Sequence, residues 1–443
     1  MSSIPKKIWR PVTPHVRLPP GRSHTRCRLS ALLLLLLAGL SDVAAYPIDG
    51  YRLTGIRRLL RLEWILTGEL KGAAPLPGAT KRLADIRLHL AGPEGEGRLP
   101  TDLPPPDPTL QQKLRSLFPR LDESYSIALL DISPGKPVRY ASRQADRGFQ
   151  PGSVGKLAVI SALFCELENI YPDSFALRRA LLKDKLVRGG PWVVYDEHTV
   201  PFFDPETRRY FRRQIREDDV LSLYEWADHM LSPSNNGAAT VVWREAVLMR
   251  VFGKHYPSLT YEQGEAYFRS TPRSVLSEIA VSVVGDPLVS AGISPEEWRL
   301  GQLFTRGGTR YIPGKGGSVG SPKGLMKWMV TLEKGELVDD SSSLEIKRLL
   351  YLTDTRIRYA ANRRLRTAAL YFKSGSLYSC RPEEGFSCGK YQGNVVNYMN
   401  SVAIVEHGDS TVYLVALMSN VLRKNSNADH NTLAGRIDAL VRE

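Results

Sequence analysis

The chain has 443 residues, is 42% hydrophobic and 24% charged, and carries a formal charge of +14. This composition excludes a disordered chain, and the length suffices for a sizeable core. Four cysteines with no Cys/His cluster exclude a zinc site, and the spread of basic residues gives no expectation of a nucleic-acid partner.

Residues 1–28 hold seven Lys/Arg and no acid, and Leu29–Leu40 is an apolar run with six consecutive leucines. Small residues, Val43-Ala44-Ala45, follow. That order predicts a secretory signal peptide over residues 1–45, cut near Tyr46, and a periplasmic or secreted protein. The run falls short of the roughly 20 residues of a membrane span, and an uncleaved N-terminal anchor is the alternative. Removing residues 1–45, with seven bases and Asp42, lowers the charge from +14 to +8. That balance is compatible with a solvated basic surface, or with attraction to an anionic cell wall or membrane face. In an oxidising compartment Cys380 and Cys388 could form a small-loop disulfide. Cys165, in an apolar run, is expected to be a buried free thiol.

Residues 46–108 read as an N-terminal extension. Ile56, Leu59, Leu60 and Ile65 recur at helical spacing, and the Gly- and Pro-rich stretch 91–108 reads as a linker. The main domain is expected over 109–443. A helix at 109–118 precedes an apolar strand at 124–132, a turn and a returning strand at 138–142. From about 157 to 350 the pattern is mainly helical, including 218–231, 236–252, 274–284 and 322–334. Strand candidates follow at 367–375, 395–406 and 410–420, the last two joined by a tight connection, and then a helix at 429–442. The predicted class is α+β, an antiparallel sheet flanked by helices plus an all-helical lobe.

Ser-x-x-Lys occurs four times, and only Ser153–Lys156 stands between a strand pair and a buried-looking helix. Residues three apart share a helix face, so Lys156 can reach the Ser153 hydroxyl. A buried lysine loses its proton more easily and can act as base. The plainer reading is Ser153 as an N-cap and Lys156 as a solvated side chain. Two later motifs favour chemistry. Ser234-Asn235-Asn236 offers a hydroxyl to relay protons and an amide, Asn236, to orient a substrate carbonyl. Lys373-Ser374-Gly375-Ser376 offers a cation, a hydroxyl for a substrate carboxylate, room at a strand edge, and a second oxyanion N–H at Ser376.

Ser153-x-x-Lys156, Ser234-x-Asn236 and Lys373-Ser374-Gly375, in that order, resemble the three active-site motifs of penicillin-binding proteins and serine β-lactamases, nearest to the class A arrangement. The resemblance covers roughly residues 109–443. It implies a serine acyl hydrolase with Ser153, Lys156, Ser234 and Lys373 catalytic, and Asn236, Ser374, Gly375 and Ser376 binding substrate. It also implies D-Ala-type cell-wall peptides or β-lactams as substrates, with no cofactor or metal. Asn235 stands where Asp is usual and Ser374 where Thr is usual. The 139 residues from Ser234 to Lys373 predict an insertion around 253–320.

The sharpest departure concerns hydrolysis of the acyl-enzyme. A loop glutamate serves class A enzymes, yet Arg299 through Leu332 contains no Asp or Glu. Glu296 and Glu297, expected in the first turn of a helix after Pro295, are poor substitutes. A long-lived acyl-enzyme is the expectation. A β-lactamase with an unusual deacylation site, or a non-catalytic binder of wall fragments or β-lactams, are the alternatives. His229 is expected to be an ordinary helix residue, and Trp226, Trp243 and Trp328 core or groove wall. The oligomeric state has no sequence signal.

Overall fold

The computed structural model describes residues 47, 49–92, 99, 103–351, 353–354, 356–408 and 410–443. The expected signal peptide, its cleavage site and half of the 91–108 linker lie outside the described residues. α1 (Arg57–Leu66) follows the predicted apolar stripe only in part: Leu59 is buried, Leu60 and Ile65 are half-buried, and Leu62, outside the stripe, is buried. Ile56, Leu83, Ile86 and Leu90 join it in the same core as the rest of the chain. α2 (Pro108–Arg115) starts at a proline, which cannot donate inside a helix, and is capped by the Asp107 side chain on Leu110 N–H.

β1 (Ser126–Asp131) and β2 (Arg139–Arg143) form the predicted antiparallel pair. α3 (Lys156–Ile170) then enters the centre. Leu157, Val159, Ile160, Leu163, Phe164 and Leu167 are all fully buried, so the helix is apolar nearly all round. Each such side chain contributes about 1.5–3 kcal/mol on burial, which makes α3 a fixed platform.

The next segment departs from the helical expectation. β3 (Thr199–Asp204) and β4 (Arg209–Gln214) make a separate hairpin. Pro201 demotes the first strand in sequence, and five arginines between 208 and 216 hide the second. Arg212 pairs with Asp354 and Arg213 with Asp219, so this basic run is partly neutralised within the fold. The helix predicted from 218 begins at Leu223, because Val220–Ser222 is a short strand and the Ser222 hydroxyl caps α4 (Leu223–Leu231). α5 (Asn236–Phe252) has the predicted limits. α6 (Arg273–Ser290) runs longer than predicted. Glu296 and Glu297 lie in a turn leading into β5 (Trp298–Arg299), which pairs with β6 (Val319–Gly320), and not in a helix. The turn is fixed by Glu297, whose carboxylate accepts from Ser294 N–H.

α7 (Pro322–Glu333), β7 (Ala369–Ser379), β8 (Val396–His407), β9 (Thr411–Asn420) and α8 (Asn427–Arg442) complete the chain close to their predicted places. Five strands make one antiparallel sheet in the order β2-β1-β9-β8-β7. Alternation assigns its two faces. Ala128, Leu130, Leu414 and Ala416 meet the core containing α3 and α7. Ile127, Leu129, Val415 and Leu417 meet α2 and α8. The class is therefore α+β, as predicted. Trp226, Trp243 and Trp328 are all core. Cys380 and Cys388 are disulfide-bonded, and Cys165 is free and half-buried.

Candidate active site

Ser153 stands in a 3-10 turn, Gly152–Gly155, that runs directly into α3. Its hydroxyl caps neither helical segment. Instead the Lys156 ammonium, fully buried, donates to Ser153 Oγ at 3.0 Å. The plainer reading of the pair thus fails on both residues.

The other two motifs close around the same amine. Lys156 Nζ lies 2.6 Å from the Ser234 carbonyl oxygen, 3.3 Å from Ser234 Oγ and 2.8 Å from Asn236 Oδ1. From the sheet side, Lys373 Nζ donates to Ser234 Oγ at 2.7 Å. Ser234 sits at φ +64°, a left-handed conformation that costs a residue with a Cβ on the order of 1–2 kcal/mol. The turn thereby presents its carbonyl and hydroxyl to one amine. Asn235 does not enter this group. Its side chain accepts from Ala238 N–H and caps α5, while its amide donates to the His198 carbonyl.

Burial pushes the Lys156 amine down to about 7, against a smaller opposing pull from Asp196. Burial first, then the charges of Lys156 and Arg358, holds Lys373 well below the usual lysine range. Ser153 Oγ therefore has beside it an amine able to be neutral near pH 7, and a neutral amine can accept the hydroxyl proton along the same line. His229 plays no part. It lies within α4, and burial together with Arg58 pushes it down to about 3.

Backbone contact ties the nucleophile turn to β7. A Cβ on Gly375 would lie 2.3 Å from the Pro151 carbonyl oxygen, 2.7 Å from Val154 N and 2.9 Å from Ser153 N. Gly152, at φ +53°, faces Ser376 in the same way, with Ser376 N 2.9 Å from where its Cβ would stand. Asn400, opposite Gly375 on β8, donates to the carbonyls of Gln150 and Pro151. The N–H groups of Ser153 and Ser376 thus belong to two segments locked together, the arrangement an oxyanion hole needs. Ser374 faces a smaller chamber of about 120 Å³ that it shares with Ser234, Lys373, Arg212 and Asp354.

Ser153 opens onto a cavity of about 710 Å³, lined also by Asn236, Ser376, Tyr391 and Phe304. Residues 300–318 form one wall, and it is apolar beside the nucleophile. Leu300 and Phe304 crowd Gly155, and the Phe304 ring lies 5.2 Å from Lys156 Nζ. Glu297 is turned away to Lys327, and Glu296 is exposed. No Asp or Glu of that wall exists to reach the site.

Three contributors went unseen in the sequence. Arg358, nearly buried and at φ +53°, donates to the Gly375 carbonyl and to Ser376 Oγ. Asp196 accepts from Asn236 N–H at 2.5 Å and Gly237 N–H at 3.1 Å, and its other oxygen holds His198. Asn400 alone had a signal, as a polar amide within an apolar strand run.

No family model matches the sequence, and no curated protein matches it. In fold the chain is similar to a representative of class A β-lactamase from Bacteroides cellulosilyticus (14% identity, TM-score 0.49, covering 76% of this chain and 98% of that one). It is also similar to a β-lactamase from Chitinophaga pinensis (13%, 0.48, 75% and 97%). A third is a point mutant of PBP-A, solved as an acyl-enzyme complex with penicillin G (14%, 0.47, 76% and 97%).

Proposed function

We propose that this protein is an exported serine acyl hydrolase that forms a covalent acyl-enzyme through Ser153. Ser153 Oγ attacks an amide or ester carbonyl and Lys156 takes its proton. The Ser153 and Ser376 N–H groups hold the oxyanion, and Ser234, bridged to both lysines, passes a proton to the leaving group. Asn236 orients the substrate and Lys156 together. The motif order in the sequence supports D-Ala-type wall peptides, with β-lactams as mimics, as the substrate class. The basic surface is consistent with work near an anionic cell wall.

One observation carries the reading: a serine hydroxyl unused in capping, 3.0 Å from a buried amine pushed down to about 7. The apolar wall at 300–318 supports slow hydrolysis over rapid β-lactam turnover. The test is intact mass after exposure to benzylpenicillin. The wild type should gain one adduct, mapped to Ser153, and Ser153→Ala none. A folded wild type that gains no adduct would favour a non-catalytic binder.

A further inference from the structure

Hydrolysis of an acyl-serine needs a base for water, and the wall at 300–318 supplies none. Another stretch of the same lining does. His198 lines the same cavity as Ser153, Asn236 and Ser376. Its Nδ1 lies 2.6 Å from Asp196 Oδ1, and its own backbone N–H donates to that oxygen at 3.1 Å. The pair is anchored to the site at two further points. The other Asp196 oxygen accepts the first two N–H groups of α5, and the His198 carbonyl accepts from Asn235.

The donor inventory fixes the tautomer. Burial works to raise the Asp196 carboxyl, but bonds from His198 and from Gly237 N–H outweigh it and hold it below the usual range. An ionised carboxylate only accepts, so the Nδ1 facing it carries the proton. Nε2 of the neutral ring is then an acceptor, and the imidazole side chain keeps 46% of its surface open. The charged and titratable groups around the pair are Asp196 and Glu197 on its own loop, Arg306 beside Asp196 and Glu197, Lys156 within the field of Asp196, and Lys390, Tyr378 and Tyr391 in the same cavity.

We propose that His198, oriented by Asp196, is the general base that activates water for hydrolysis of the acyl-enzyme. This rests on the acyl-serine reading above. The water oxygen bonds to the acyl carbon as one water proton passes to Nε2. The C–Oγ bond to Ser153 breaks, the proton taken from water is returned to Oγ, and the free acid leaves.

The experiment follows the penicilloyl-enzyme, freed of excess penicillin, by intact mass over time. Wild type, His198→Gln and His198→Ala are compared, the last with and without added imidazole. Expected is a hydrolysis rate at least about 100-fold lower in both variants. Imidazole restores the rate in His198→Ala, an effect that a structural role for the side chain would not produce. His198→Gln hydrolysing at the wild-type rate would overturn the proposal while leaving acylation of Ser153 standing. A wild type that never acylates would instead overturn the underlying reading, and this one with it.

Discussion

Gly375→Ala isolates the join between β7 and the nucleophile turn. The added methyl would meet Pro151 O at 2.3 Å, Val154 N at 2.7 Å and Ser153 N at 2.9 Å. Ordinary contact starts near 3.4 Å, and all three neighbours are backbone, so no flexible side chain can swing aside. β7 and the turn must part by roughly 1 Å, the size of displacement that costs about 100-fold in rate when it misplaces catalytic groups. Overpacking of this kind costs about 1–3 kcal/mol of stability, which the buried sheet can absorb. The assay is stopped-flow acylation by a chromogenic cephalosporin, with thermal melting run in parallel. Acylation should fall about 100-fold or more while the melt stays cooperative. Wild-type acylation by Gly375→Ala would refute the claim that Ser153 and Ser376 N–H groups act through this contact.

Three further outcomes follow from the same geometry. Lys156 is pushed down to about 7 in the fold, against an ordinary value of 10.5, so between those values the unfolded chain binds the extra proton. Stability attributable to this group therefore rises with pH across that window, by up to about 1.4 kcal/mol per pH unit. Lys156→Met should flatten the slope of unfolding free energy between pH 7 and 9 relative to wild type, and parallel slopes in urea titrations would count against a buried, proton-poor amine. Arg58 makes two 2.5 Å bonds to Asp228 and one of 3.0 Å to Ser232, all buried. Arg58→Met should cost about 3–5 kcal/mol by stranding the carboxylate, and adding Asp228→Leu should recover most of it; a denaturant midpoint unmoved by the single change would show the pair is idle. Opening the Cys380–Cys388 loop, eight residues in separation, should remove about 2.5 kcal/mol in the chain-entropy account. A melt of Cys380→Ser/Cys388→Ser coincident with wild type would contradict it.

The parts of the fold that were legible share a physical cause. Near-continuous apolar runs marked β1 and the three C-terminal strands, because both faces of that sheet are buried. The three motifs were legible because each pairs reactive residue types at short, fixed spacing. What stayed hidden depends on residues far apart or on backbone fit. Arg58 and Asp228 are 170 residues apart, and no periodicity links them. The β3–β4 hairpin carries a proline and an arginine run that speak against strands. Asp196-Glu197-His198 looks like any polar loop until α5 offers its N–H groups to Asp196. Gly375 could be read as making room for substrate, whereas the space it leaves is filled by the nucleophile turn itself.

The account turns on Lys156 losing its proton to serve Ser153, and the pH dependence of Ser153 acylation measures that directly. The acylation rate should climb with pH through about 7 and then level, and Lys156→Arg, whose guanidinium holds its proton throughout, should abolish it. A rise delayed to the ordinary lysine range near about 10.4, or acylation surviving in Lys156→Arg, would contradict the account.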